Sequence, residues 1–118
     1  MIRHVAVFTF VPEFTPEQRA RWMAMVADLP RQIPQIRSMS VGEDRLHGPS
    51  SHEIAIVADF DSLADLATYT EHPAHAPVLA MSAPVKASLA VVDFELWPPG
   101  SPAATAGAAA PTSRQRRR

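Results

Sequence analysis

The stretch HVAVFTF, starting at His4, alternates so that His4, Ala6, Phe8 and Phe10 share one face of a strand and Val5, Val7 and Thr9 share the other. Both faces are largely apolar. A strand of that kind has to be covered on both sides, which calls for two layers of cover. The rest of the chain has to supply that cover.

TPEQRARWMAMVADL follows, with Thr15 as N-cap, Pro16 at the first helical position and Gln18 three residues after the cap. Trp22, Met25, Val26 and Leu29 repeat at helical spacing as a buried stripe, and Pro30 and Pro34 place the end of the helix near Leu29. IRSMSVG, Ile36 to Gly42, reads as a second strand, EDRLHGPSSH as a polar loop, and EIAIVADF, Glu53 to Phe60, as a third strand. Ser62 followed by Asp65 caps a second helix whose apolar positions Leu63, Leu66 and Ala67 share a face reaching Tyr69 or Thr70. Pro73 disfavours helical geometry at His72 and opens a fresh turn through APVLAMSAPV. ASLAVVDFEL, Ala87 to Leu96, is the last strand. The order β-α-β-β-α-β predicts an α+β, ferredoxin-like fold, an antiparallel sheet with helices on one face. The other face is rich in Val, Ile and Phe, and a homodimer packed sheet on sheet covers it.

At 118 residues and 47% hydrophobic, the chain suits one domain, placed at residues 1–97. It has no run of about eighteen apolar residues and no signal-like start, so neither a membrane span nor export is expected, and the location is read as cytoplasmic. With no cysteine, disulfides and thiolate chemistry are excluded. Eleven basic residues face twelve acidic ones, but Arg114, Arg116, Arg117 and Arg118 lie at the far end, so residues 1 to 99 have a balance of -5. An acidic domain of this kind does not predict nucleic-acid binding. Residues 98–118, Pro- and Ala-rich with a basic end, lack the apolar surface to offset ordering and read as a disordered, solvated tail.

The chemistry concentrates in YTEHPAHAPV, which holds the only tyrosine, Tyr69, and two of the five histidines, His72 and His75, around Pro73. Two readings stand side by side. A helix terminator followed by a histidine at the negative end of the helix accounts for the pattern without any reaction. Alternatively, an imidazole, whose ordinary pKa of about 6.5 suits a general base, and a phenol, which can donate to an enolate, are held on a stiff backbone for proton abstraction beside a carbonyl. His4 is either a satisfied core histidine or, with Phe8 on the same face, part of a cavity wall. His72 and His75 are three apart, yet proline intervenes and no carboxylate has ligand spacing, so no metal is expected. His47 and His52 read as exposed loop residues. Asp93 and Glu95 share a face of the last strand and read as solvent-facing.

MIRHVAVFTF, IPQIRSMSVGED, VADFDSLADLATYTEHPAH and VVDFEL together resemble the stress-responsive A/B barrel, or Dabb, family of small dimeric proteins, over about residues 1 to 96. The resemblance implies ferredoxin-like protomers paired into an αβ barrel that can hold a small apolar or polyketide-like ligand. A plant polyketide cyclase of that family closes a ring by intramolecular aldol condensation with no metal or organic cofactor, and its Tyr-x-x-His-Pro-Ala-His motif matches Tyr69, His72, Pro73, Ala74 and His75. By that match His75 is the general base and Tyr69 its partner or the enolate's donor. His4 matches a pocket histidine of the family, and Ile54 stands where the cyclase has another, which makes the pocket more apolar. His4, His72, Phe8 and Ile54 are thus the expected substrate-binding set. Two other functions compete: a binding or stress-response dimer without chemistry, and a cofactor-free monooxygenase of the antibiotic-biosynthesis type.

Overall fold

The doubly apolar strand is central. In the computed structural model, which describes residues 1–99, β1 (Ile2–Phe10) lies between β3 (Ile54–Phe60) and β4 (Lys86–Glu95), with β2 (Ser38–Glu43) outside β3, in the antiparallel order β2-β3-β1-β4. Helices α1 (Pro16–Gln32), α2 (Leu63–Glu71) and α3 (Ala76–Ser82) complete the fold. This is the ferredoxin-like arrangement. The expected tail lies outside the described residues apart from Pro98 and Pro99.

The helices meet the sheet face that carries Ala6, Phe8, Phe10, Ile54, Ile56, Ala58 and Phe60, all buried. Trp22 of α1 ties the layers together. Its ring meets Phe8 and Phe10 edge-on at centroid distances of 5.2 and 5.5 Å, a geometry favoured by the ring quadrupoles. Its indole N–H donates to the Val78 carbonyl at 3.0 Å, which docks α3 onto α1. Burying a side chain of this kind stabilises the fold by roughly 1.5–3 kcal/mol.

The start of α1 follows the sequence, since the Thr15 hydroxyl accepts from the Gln18 amide while the Gln18 side chain accepts from the Thr15 amide. Its end does not. The helix runs through Pro30 to Gln32, with the Ile33 amide donating to the Leu29 carbonyl at 2.8 Å. Proline removes one donor from the last turn, but Leu29 and Ile33 are both fully buried, and their packing outweighs that loss. Ile36 is buried too, but in the turn before β2, which begins at Ser38.

The expected inner face of α2 is rotated. Leu63 and Ala67 are exposed, and Leu66 and Tyr69 face inward. Tyr69 decides this, because its ring buries against Phe60 at 5.2 Å and no aliphatic position of the helix removes as much surface from water.

Among the described residues nothing covers the outer sheet face. Val5 stands opposite Val57 on one side and Val92 on the other, Val7 opposite Ala55 and Ala90. Arg3 closes one end of this face with a bidentate pair to Asp59 at 2.7 and 2.8 Å, and Ser38 donates to the same carboxylate. The Arg3 guanidinium holds the Asp59 carboxyl below its usual range. Among the described residues no helix is long and apolar enough to cross a membrane.

Candidate functional site

Pro73 determines how this site is built. It holds His72 in extended backbone, at φ -65° and ψ 139°, and α2 stops at Glu71. The His72 ring then turns onto the backbone, its Nδ1 accepting from the Ala74 amide at 3.0 Å, and so caps a single 3-10 turn over Pro73–His75. That turn sends the His75 side chain back under the end of α2. Its Nδ1 donates to the Thr70 carbonyl at 3.1 Å, one of the acceptors that a helix end leaves open. With the proton assigned to Nδ1 by this bond, Nε2 carries the lone pair.

The same fold-back stacks His75 on Tyr69, ring centroids 4.4 Å apart and planes 28° from parallel. The His4 ring is 6.0 Å from Tyr69 on the sheet side. All three line a cavity of about 160 Å³ between the helix-facing side of β1 and β4 and the α2–α3 segment. Ala6, Phe8 and Ile56 form its floor, and Trp22 and Val78 its inner wall. His75 and Tyr69 are both buried. Burial pushes the phenol up to about 12, so Tyr69 is a neutral donor. Burial pushes the His75 imidazole down, with the nearby His4 acting in the same direction and the Thr70 carbonyl opposing, so its neutral form is favoured.

The structure therefore brings His4, Phe8, Tyr69 and His75 to one hollow. It does not bring His72, whose Nδ1 is committed to the turn, nor Ile54, which is 1% exposed in the core opposite Phe8. Ile56, two residues further on the same face of β3, takes the place expected of Ile54.

Two other positions were not legible in the sequence, one that supports the cavity residue His4 and one that lines the cavity. Asp93, expected to face solvent, accepts from His4 Nδ1 at 2.5 Å, because β4 pairs Asp93 directly opposite His4. Lys86 lines the mouth of the cavity. Only the cross-strand register could have revealed either. A wider hollow of about 530 Å³ lies at the β2–β3 loop, but charged loop side chains wall it and the Arg19–Glu53 salt bridge of 2.7 Å closes one side. Among the described residues no three His, Asp or Glu side chains gather as metal ligands.

The family model of the stress responsive A/B barrel domain matches residues 2–96. The chain belongs to this family. A dimeric ferredoxin-like protein of unknown function from Thermobifida fusca is 33% identical, over 80% of this chain and 90% of that one, with a TM-score of 0.74. A dimeric protein of unknown function from Bacteroides fragilis is 29% identical over 80% and 95% of the two chains, TM-score 0.67. The hydroxynitrile lyase of Passiflora edulis has a similar fold at 18% identity, over 79% and 90% of the chains, TM-score 0.69. A search of curated proteins finds no match.

Proposed function

We propose that this A/B barrel protein is a cytoplasmic homodimer, paired through its outer sheet faces, whose cavity performs acid–base chemistry on a small carbonyl compound without metal or organic cofactor. The reaction is an aldol-type ring closure of a short polyketide-like substrate, or its lyase counterpart. The observation that carries this reading is the stacked Tyr69–His75 pair on an otherwise apolar cavity, with His75 Nδ1 tied to Thr70. His75 Nε2 takes a proton from the carbon between two carbonyls, and the Tyr69 hydroxyl donates to the enolate oxygen that forms. The enolate carbon attacks a third, more distant carbonyl of the same chain to close the ring, and the His75 imidazolium returns the proton to the new alkoxide. A cavity of about 160 Å³ is small beside the roughly 300–1,000 Å³ of most ligand sites, which favours a short substrate. The likeness in fold to a hydroxynitrile lyase is compatible with lyase chemistry on this fold, and the site residues, not the fold, carry the reading.

The His75–Thr70 bond and the burial of Tyr69 also favour a second reading, a binding or stress-response dimer in which the motif only terminates a helix. Turnover of short poly-β-keto compounds by the wild type, Tyr69→Phe and His75→Ala separates the two. The catalytic reading expects both variants to fold and to lose roughly 100-fold or more in rate, the usual size of a general-base contribution. It also expects the wild-type rate to fall as pH drops through a value below 6.5, since His75 must be neutral to act and its pKa is lowered. Full turnover in both variants, or a loss of folding with no wild-type turnover, assigns the motif to structure.

A further inference from the structure

β4 does not keep its alternation to the end. Leu89, Val91 and Asp93 stand opposite Phe8, Ala6 and His4 on the cavity side, and Ser88 stands opposite Thr9 on the outer side. Regular alternation places Lys86 on the outer face with Ser88. The register shifts between Thr9 and Phe10, however, so that Phe10 pairs with Lys86 and Ala87 is passed over. An irregularity of this kind re-aims a side chain, and here it returns Lys86 to the cavity side, where it lines the hollow. Among the described residues Lys86 enters no salt bridge, and no carboxylate lines the cavity.

We propose that Lys86 is an anion-recognition residue and that the cavity takes small monocarboxylates, the carboxylate at the Lys86 mouth and the carbonyl end at Tyr69. This deepens the catalytic reading above and rests on it for the carbonyl end only. The placement along β1 sets the length. His4, beside Tyr69, and Phe10, opposite Lys86, are six strand residues apart, roughly 20 Å at about 3.3 Å per residue, and the side chains of Tyr69 and Lys86 take up part of that. A short acyl chain spans the remainder over the apolar floor of Ala6, Phe8 and Leu89. A single ammonium, a compact point charge, balances one carboxylate, whereas a phosphate dianion calls for several donors.

Calorimetric titration with hexanoate and its neutral isostere hexanamide tests the assignment. Wild-type protein is expected to bind hexanoate roughly five- to tenfold more tightly, a modest factor because Lys86 is solvent-exposed. The preference should shrink between about 0.02 and 0.5 M salt, vanish in Lys86→Met and reverse in Lys86→Glu. This preference is read by calorimetry and the catalytic reading by turnover, so that a failure of the one and a failure of the other appear in different measurements. Equal affinity for the two ligands, a preference that survives Lys86→Met, or no binding of either ligand overturns the proposal.

Discussion

Tyr69 is the chain's only tyrosine, so its phenol reports on the cavity without interference. Burial places its titration near 12, where an exposed phenol titrates near 10.0. A spectrophotometric titration should therefore show no phenolate until well past pH 10 in the folded protein, and an ordinary tyrosine curve once it is unfolded. The linkage has a definite sign. Between the two values the unfolded chain has lost a proton that the folded chain keeps, so stability falls as pH rises from about 10 toward 12. A folded-state curve centred near 10 means that the ring lies in water and that the site is misdescribed. The position of this residue was readable from YTEHPAH, since proline bounds the backbone on which both rings sit. Its contacts with Phe60 and His4 were not, because those residues lie on strands remote in sequence.

At the scale of elements, local signals located starts better than ends. The capping box at Thr15 and the Ser62 cap, whose hydroxyl accepts from the Asp65 amide at 3.1 Å, depend on neighbours a few residues away. The end of α1 depends on what Leu29 and Ile33 pack against, which no local rule contains. Pro30 is thus a cost that the core carries. Pro30→Ala restores a donor for the Val26 carbonyl, four residues earlier, and is expected to raise stability by about 1 kcal/mol, less than the roughly 3 kcal/mol of a mid-helix proline because Pro30 lies in the last turn. Urea unfolding at fixed protein concentration measures it. A lower midpoint shows instead that the rigidity of proline in the unfolded chain outweighs the missing bond. The face of α2 was misread for a related reason. Periodicity counts Leu63, Leu66 and Ala67 alike, whereas the large Tyr69 ring sets how the helix rolls.

For the whole molecule, the decisive feature is an outer sheet face that the described residues leave bare. Val92 is 59% exposed and Phe94 39% on a strand whose neighbours on that face are Val5 and Arg3. A contiguous apolar sheet face of this kind marks an association surface. Val92→Lys is expected to keep the protomer folded, since the residue already meets water, and to convert the dimer to monomer at micromolar concentration, as seen by sedimentation equilibrium. An unchanged mass for the variant places the dimer contact elsewhere. Sequence by itself determined the order of the four strands with α1 and α2, the demand for cover on both faces of β1, and the stiff proline turn that carries His75, because each follows from neighbours in the chain, whereas the stretch read as a turn after Pro73 forms α3. Only the tertiary structure decided that Asp93 meets His4, that Ile56 replaces Ile54 in the wall, and that Lys86 faces the cavity. Those facts depend on strand register and on one skipped residue in it, and register is set by the packing of the whole sheet, not by any single segment.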